Sequence, residues 1–165
     1  MRRPQPLPAG SGQESVWDYP RPPRVEVDDR EVVVVLGGVE VCRTRRGLRV
    51  LETSHPPTWY LPAPDWAPGS LEAAPGSSFC EWKGMARYLT VLGGDRRAEV
   101  AAWSYPDPVA AYAVLRDAVA VYPAAVDRCT VDGQVVRPQD GGFYGGWITD
   151  DVVGPFKGSP GSAGW

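Results

Sequence analysis

The apolar residues of this chain fall in short runs separated by glycine-containing turns, which is the pattern of β-hairpins. Four valines and a leucine at 32–36 precede Gly37-Gly38, and the run VEVC follows. Because glycine adopts the positive φ that two-residue turns need, residues 31–43 are predicted to form a hairpin. Two further hairpins are predicted on the same grounds, over 79–105 with a turn at Gly93-Gly94-Asp95 and over 126–138 with a turn at Asp132-Gly133.

Two short strands, at 48–51 and 59–61, are predicted on either side of a proline-containing turn that we call the central turn (residues 52–58). Residues 62–78 are predicted to be a loop, because three further prolines interrupt them. Gly84, inside the strand predicted at 79–92, suggests a β-bulge.

One principal helix is predicted from Pro108 to about Asp117. Asp107 can accept hydrogen bonds from the free amides at a helix start, and proline suits the first helical position. Tyr112 and Leu115 would form the apolar side of this helix. Residues 118–122 could finish this helix or begin a strand, and the strand is the preferred interpretation.

These elements predict a mostly β protein of the α+β class, in which antiparallel strands accompany the single helix. The 165 residues suit one domain. We expect a disordered tail at 1–13, one β-rich domain at 14–140, and a tail at 141–165 that is rich in glycine and aromatic residues and packs on the domain. Trp17 and Tyr19 are too apolar for a free linker and predict an arm anchored to the domain.

Charge and hydropathy limit the range of possible functions. The formal net charge of −3 argues against nucleic acid as a partner, since a nucleic-acid binder needs a basic surface. No apolar window is long enough to span a membrane, and no apolar stretch follows Arg2-Arg3 as a signal peptide requires. The prediction is a cytoplasmic protein that does not bind a membrane.

The three cysteines, Cys42, Cys80 and Cys129, are odd in number and far apart. Zinc sites need paired spacings that these residues lack, so reduced and mostly buried thiols are predicted, with no metal and no cofactor. The neighbouring acids Asp150 and Asp151 have two interpretations, a divalent-ion site or a solvated pair.

The central turn carries the first candidate site. Glu52 precedes His55, the only histidine of the chain, and a carboxylate near an imidazole can orient it and raise its basicity for acid–base catalysis. Pro56-Pro57 fixes the chain direction after the histidine. Ser54 is a candidate nucleophile. The alternative is that Glu52 and Ser54 cap the turn while His55 makes one structural hydrogen bond.

The second candidate is the run Cys80-Glu81-Trp82-Lys83. In a strand, Glu81 and Lys83 share one side, where they could hold a polar ligand, and Lys83 could also serve as a catalytic base or nucleophile. The alternative is an exposed ion pair of little energetic value. We predict that Glu52, His55, Glu81 and Lys83 line one concave site, with Glu52, His55 and Lys83 in catalytic roles and the strand of Lys83 beside the strand at 59–61.

Aromatic side chains are the third candidate. The ligand-binding residues predicted besides Glu81 are Trp59, Tyr60, Trp82, Trp103, Tyr105 and Tyr144, with Phe143 and Trp147 as further members of an aromatic cage. Such rings can surround a planar or cationic group. The alternative is an ordinary core.

Five blocks of the sequence carry a resemblance to a known family. They are ETSHPPTWYLP (52–62), FCEWKGMARY (79–88), AAWSYPDP (101–108), YPAAVDRCTVDG (122–133) and GGFYGGWIT (141–149). Over residues 14–165 the chain resembles the domain of unknown function 427 family, also labelled nucleotidyltransferase-like, in its actinobacterial long form.

The resemblance implies a small, curled antiparallel β-structure similar to the β-tent of methionine sulfoxide reductase B and the cereblon ligand domain. Those proteins carry zinc at paired CxxC motifs, which this chain lacks. The nucleotidyltransferase label has no counterpart in the motifs of the chain, which has neither a glycine-rich phosphate loop opening a helix nor a DxD pair.

Three functions remain open at this point. The first is a small-molecule-binding β-domain, which requires an apolar cavity. The second is an enzyme for acid–base chemistry or acyl, phosphoryl or nucleotidyl transfer, which requires a buried group with a shifted pKa. The third is a protein-interaction module or homodimer, which requires an exposed aromatic patch.

Overall fold

The computed structural model describes residues 2–165 and consists almost entirely of β-strands and turns. Its strands are β1 (Glu14–Ser15), β2 (Arg24–Asp28), β3 (Val32–Leu36), β4 (Val39–Thr44), β5 (Gly47–Leu51), β6 (Thr58–Pro62), β7 (Leu71–Cys80), β8 (Gly84–Gly93), β9 (Arg96–Ser104), β10 (Ala118–Val121), β11 (Arg128–Val131), β12 (Gln134–Val135), β13 (Arg137–Pro138), β14 (Trp147–Ile148) and β15 (Val152–Val153). Short 3₁₀ turns lie at Val16–Asp18, Ala63–Asp65, Ala110–Leu115 and Pro123–Ala125.

Two open antiparallel sheets form the body of the protein. The larger has seven strands in the order β2-β5-β6-β10-β9-β8-β7, and the smaller has four in the order β12-β11-β3-β4. Two small pairs join distant parts of the chain, because β1 runs parallel to β15 and β13 runs antiparallel to β14. The predicted mostly β class is therefore confirmed.

The three predicted hairpins are present. Gly37 and Gly38, with φ of 62° and 75°, form the turn between β3 and β4, as the glycine pair predicts. The β8–β9 and β11–β12 hairpins turn at Gly94-Asp95 and Asp132-Gly133. Glycine pairs and Asp-Gly were sufficient to locate these turns because few other residues adopt their backbone conformation.

A row of paired residues crosses the seven-stranded sheet and defines one of its faces. Leu48 pairs with Tyr60, Tyr60 with Ala120, Ala120 with Trp103, and Trp103 with Tyr88. Residues paired across strands point to the same side of a sheet. We call the side that carries this row the aromatic face.

The seven-stranded sheet curls toward its aromatic face. Thr58 of β6 and Ser78 of β7 line the same cavity, although three strands lie between β6 and β7. In a flat sheet, four strand spacings of about 4.8 Å would place these strands about 19 Å apart. Curling is what brings them around one cavity.

The opposite face packs against the four-stranded sheet and forms the main core. Its largest fully buried side chains include Leu36, Trp59, Leu61 and Trp147. Burying one aliphatic side chain of this size contributes about 1.5–3 kcal/mol. The core therefore stabilises the sheet on the side opposite the aromatic face.

The predicted principal helix is wrong. The segment Ala110–Leu115 forms only six residues of 3₁₀ turn, interrupted at Tyr112, whose φ and ψ of −118° and 22° are not helical. Asp107 does not cap it; Val109 precedes the turn, and its amide donates to the Lys83 carbonyl at 2.9 Å. Tertiary hydrogen bonds of this kind override the weak preference of so short a segment for a helix.

The loop predicted over 62–78 is also wrong in its second half, since residues Leu71–Cys80 form the edge strand β7. The pairing with β8 shifts register between Ala73 and Ser77, and Pro75 lies within this irregularity. An edge strand tolerates proline because only one side of it is hydrogen-bonded within the sheet.

Both ends of the chain contact the body of the protein. Val16, Trp17 and Tyr19 pack in a small core with Leu51 and Val152. Within residues 2–13 there is no strand, but the Leu7 amide donates to the Gly154 carbonyl at 2.9 Å. The division of the chain into tails and one domain stays a prediction.

The tail at 141–165 lies close to the sheet. The Trp147 amide donates to the Pro57 carbonyl at 2.8 Å. A Cβ on Gly145 would come within 2.2 Å of the Trp103 ring, so only glycine permits the approach at this position. No helix within residues 2–165 has the length and apolarity needed to cross a membrane.

Candidate functional site

The aromatic face encloses a cavity of about 310 Å³. Tyr60, Trp103 and Tyr88 of the row of paired residues form its floor, and three further segments close its sides: the central turn, the β7–β8 turn and the C-terminal tail. The residues that line it include Glu52, His55, Tyr60, Cys80, Glu81, Trp82, Lys83, Tyr88, Trp103, Tyr105, Tyr122, Phe143, Tyr144 and Lys157.

Most of the residues predicted for the site lie around this cavity. Those that line it are Glu52, His55, Tyr60, Glu81, Trp82, Lys83, Trp103, Tyr105 and Tyr144. Whether they bind a ligand stays a prediction.

Of the predicted aromatic residues, Trp59 and Trp147 lie elsewhere. Successive residues of a strand point to opposite sides of the sheet, so Trp59 faces the main core while Tyr60 faces the cavity. Trp59 stacks on Trp147 with ring centroids 5.8 Å apart. The two tryptophans are therefore part of the core rather than of an aromatic cage.

The run Cys80–Lys83 differs from its prediction. β7 ends at Cys80 and β8 begins at Gly84, so the three residues between them form a hairpin turn. Strand alternation does not apply in a turn, and Cys80, Glu81 and Lys83 all line the cavity. Gly84 marks the start of β8 rather than a bulge. The expectation that the strand leading to Lys83 adjoins β6 is wrong, because β8, β9 and β10 lie between β7 and β6.

The central turn is held between the two ends of the chain. The Ser54 amide donates to the Val16 carbonyl at 3.0 Å, and the Ser54 carbonyl accepts from the Lys157 amide at 2.8 Å. Ser54 has a φ of 75°, a conformation that needs such support. Its side chain is fully buried and its hydroxyl has no partner within residues 2–165. It does not line the cavity, which excludes it as a nucleophile there.

The hydrogen bonds of Gln139 assign the proton of His55. Gln139 Oε1 accepts from the Gly146 amide at 3.1 Å, and Nε2 donates to the Lys157 carbonyl at 2.7 Å. The remaining Nε2 hydrogen faces His55 Nδ1 at 3.2 Å. Nδ1 is therefore the acceptor, and the proton of the neutral ring lies on Nε2. Glu52 Oε2 is 3.6 Å from Nε2, too far for a hydrogen bond.

The imidazole of His55 is neutral at physiological pH. Burial is the largest cause, and the nearby charges of Lys157, Arg21 and Lys83 add to it; together they lower the pKa of His55 from 6.5 to about 4. This lowering is the opposite of the expectation that Glu52 raises the basicity of the ring. Glu52 does not raise the basicity of the ring, because Arg21 pairs with this carboxylate at 3.5 Å.

The substitution Gln139→Glu is expected to reverse the tautomer of His55. A carboxylate cannot donate to Nδ1, so Nδ1 would carry the proton and donate to the new carboxylate, and the added negative charge would raise the pKa of the ring. The ¹⁵N chemical shifts of the single imidazole report both changes. A variant that keeps the wild-type tautomer would contradict the assignment.

Two lysines supply positive charge to the cavity. Lys83 is 9% exposed, and its Nζ lies 5.7 Å from the centroid of the Tyr105 ring. None of the ion pairs among residues 2–165 involves Lys83, so the predicted alternative of a pair with Glu81 is wrong. Lys157 Nζ donates to the Trp165 carbonyl at 3.1 Å and lies 5.8 Å from the Tyr144 ring.

Several residues of the site escaped prediction from the sequence. Lys157 and Gln139 lie in irregular segments, where no periodicity indicates which way a side chain points. Tyr88 had a detectable signal, because it alternates with Ala86 on a predicted strand. Tyr122 follows β10 and donates from its hydroxyl to the Phe143 carbonyl at 3.2 Å.

The thiols and acids outside the rim take structural positions. Cys42 and Cys129 are buried and unpaired, and burial raises the pKa of the Cys42 thiol to about 12.

The two neighbouring acids form ion pairs with arginines. Asp150 pairs with Arg137 at 3.0 Å, and Asp151 pairs with Arg30 of the β2–β3 turn. Over residues 2–165, no group of three or more His, Cys, Asp or Glu side chains is arranged to hold a metal ion. Metal analysis of the purified protein would test the predicted absence of zinc.

The fold and the site define a small, open antiparallel β-domain with a cavity of aromatic and charged residues on its curled face. Comparison with known families identifies it further. The family model described as a domain of unknown function (DUF427) matches residues 24–132, which is more than half of the 165 residues. The chain belongs to this family. No curated protein matches it.

The matched region includes part of the cavity. Glu52, His55 and Lys83 lie within residues 24–132, whereas Gln139 and Lys157 lie beyond its end. The groups that set the state of His55 therefore come in part from a segment outside the family match.

Proposed function

We propose that the protein binds a small molecule in the cavity on its aromatic face. The observation that carries the proposal is the convergence of aromatic and polar side chains around a cavity of about 310 Å³. Ligand sites are typically concave, mostly apolar, and about 300–1,000 Å³ in volume. The buried core behind the sheet supports a preformed site.

The state of His55 favours binding over acid–base catalysis. His55 lines the cavity, and its Nε2 carries a proton and makes no hydrogen bond within residues 2–165. A neutral N–H donor can hold a carbonyl or phosphoryl oxygen, but it cannot accept a proton as a general base. Lys83, a cation without a partner among the same residues, is the second free polar group.

A thermal-shift screen of a metabolite library tests the proposal. A ligand at about 100 times its Kd stabilises the folded state by about 2.7 kcal/mol, which raises the Tm of a domain of this size by about 5–10 °C. His55→Ala and Lys83→Ala are each expected to reduce the affinity for such a compound by several-fold or more. Arg128→Ala, an exposed change on the four-stranded sheet, is the control. If both cavity variants bind as the wild type does, the cavity is not the site.

An enzyme that uses the polar residues of the same cavity is the second candidate, supported by the lowered pKa of His55. Such shifts are common at catalytic sites. In this candidate the Nε2 proton would stabilise charge on an acyl or phosphoryl (nucleotidyl) group during transfer. Mass spectrometry of the screening hits after incubation separates the two candidates, because a binder returns its ligand unchanged.

An interaction module or homodimer is a further candidate. Phe79 and Phe143 lie at the cavity mouth and are 72% and 70% exposed. Exposed rings of this size often mark contact surfaces. Sedimentation of the wild type and of Phe79→Ser distinguishes this candidate, since only a dimer that uses this surface would dissociate in the variant.

We also propose a relationship to the β-tent and a location in the cytoplasm. The curled antiparallel sheet supports the first, which comparison with an experimental structure would test. The unpaired cysteines support a reducing compartment such as the cytoplasm. Localisation of a tagged full-length protein would decide that point.

A further inference from the structure

We infer that the ligand of this cavity is an anion, a carboxylate or phosphate group attached to a planar ring, and that Lys83 binds its charged end beside His55. The inference rests on the proposed function and specifies its ligand class. It is carried by the charges, the hydrogen-bond donors and the aromatic surfaces that converge on the cavity.

The first observation is that the positive charge of Lys83 has no counterion within the described chain. Its side chain is 9% exposed, and no carboxylate among residues 2–165 pairs with it. The Lys83 side chain lines the cavity, and its ammonium has no counterion among these residues. An anion that enters the cavity would supply the missing partner.

The other charged residues of the lining are Lys157, Glu52 and Glu81, and neither acid forms an ion pair with Lys83. Lys157 adds a second cation. Of the two acids, Glu52 is paired with Arg21 at 3.5 Å, and Glu81 is exposed at the rim. A cationic ligand would therefore meet the unpaired ammonium of Lys83 without a free buried carboxylate to offset the repulsion.

His55 contributes a donor rather than an acceptor. Gln139 occupies Nδ1, so Nε2 is the free N–H group of a ring that lines the cavity. Oxyanions accept hydrogen bonds from N–H groups, and bonds to a charged acceptor are the stronger ones. A neutral ring with a fixed proton can thus assist Lys83 in holding an oxyanion.

The floor of the cavity accounts for the planar part of the ligand. Tyr60, Trp103 and Tyr88 belong to the row of paired residues on the aromatic face, and Trp103 is fixed by its Nε1 hydrogen bond to the Tyr60 hydroxyl at 3.2 Å. A fixed aromatic surface offers an apolar ring an edge or face to pack against.

Four single-ring probes test the inference on the full chain: benzoate, phenyl phosphate, benzamide and benzylamine. Binding is followed by the NMR signals of the His55 ring. At least one of the two anions is expected to bind with a Kd on the order of 1 mM, and benzylamine at least about 10-fold more weakly. The relative affinities of benzoate and phenyl phosphate distinguish a carboxylate from a phosphate.

A bound anion is also expected to raise the pKa of His55. The charged groups around the ring are Lys157, Arg21, Lys83 and Glu52, and three of these four are cations whose effect the anion would offset. Benzamide, which has the same ring without the charge, should leave that pKa unchanged.

Lys83→Met keeps most of the apolar stem and removes the charge. It is expected to weaken binding of the favoured anion about 10-fold while changing benzamide binding less than about two-fold. Arg128→Met, far from the cavity lining, is the matched control and should change neither. If Lys83→Met does not fold, the comparison of anion with cation on the wild type still tests the inference.

The outcomes separate this inference from the proposed function. Binding of benzamide or benzylamine as tightly as the better anion, with no loss in Lys83→Met, would overturn the anion assignment and leave the cavity as a binding site. Failure of all four probes to shift the His55 signals would overturn the proposed function itself.

Discussion

Replacing Trp147 by alanine is expected to destabilise the protein by about 3–5 kcal/mol, which lowers the Tm of a domain of this size by roughly 6–20 °C. The side chain is 0% exposed and stacks on Trp59. Its Nε1 donates to the Val121 carbonyl at 3.2 Å. The substitution would leave a large cavity in the main core and an unsatisfied carbonyl.

Phe143→Ala is the matched control, because it truncates another aromatic residue of the same tail. Phe143 is 70% exposed, so its loss should change the free energy of unfolding by less than about 0.5 kcal/mol. Chemical denaturation of both variants measures the difference. Equal stabilities would mean that the tail does not contribute to the core, and rapid proteolysis of the wild-type tail would support the same conclusion.

Lowering the pH from 7 to 5 is expected to destabilise the protein by about 2 kcal/mol through His55 alone. The pKa of His55 falls from 6.5 to about 4 on folding, so only the unfolded chain binds a proton in this range. The stability contribution of the neutral ring is complete above pH 6.5. It decreases as the pH falls from 6.5 toward 4 and then levels off.

The carboxylates change the folding stability only in a lower pH range. Burial alone would raise the pKa of Asp28, but its hydrogen bonds with Arg30 outweigh burial and lower the pKa below 3.8. Side-chain hydrogen bonds likewise lower the pKa of Asp65, so the contribution of both acids is lost only as the pH falls below 3.8.

The variant His55→Gln should therefore lose most of the pH dependence of stability between pH 7 and 5. Denaturation of the wild type and the variant at the two pH values measures this loss. A wild-type protein whose dependence matches that of His55→Gln would contradict the burial of His55.

Local sequence signals were reliable where the backbone needs a particular residue. Gly37-Gly38 and Asp132-Gly133 located hairpin turns because their positive φ is rare for other residues. The prediction of a helix at Pro108 failed because capping residues indicate where a helix can begin, not that tertiary contacts allow it. The prediction of a loop through Pro75 failed because an edge strand tolerates proline.

The site was only partly predictable for a different reason. Glu52, His55 and Lys83 are unusual residues near turns, and their chemistry alone suggested a site. Their convergence depends on the curl of the sheet, which brings β7 toward the central turn across three intervening strands. Lys157 and Gln139 arrive from a segment without periodicity, so neither their presence nor the tautomer that they impose could be derived from the sequence.

The most direct test of the central claim is the NMR signal of His55 in the presence of any compound that raises the Tm. His55 is the only histidine of the chain and lines the cavity, so the imidazole signals come from one ring at the proposed site. The account predicts a saturable shift whose midpoint agrees with the Kd from calorimetry. A compound that binds and stabilises the protein while leaving the His55 signal unchanged would contradict the account.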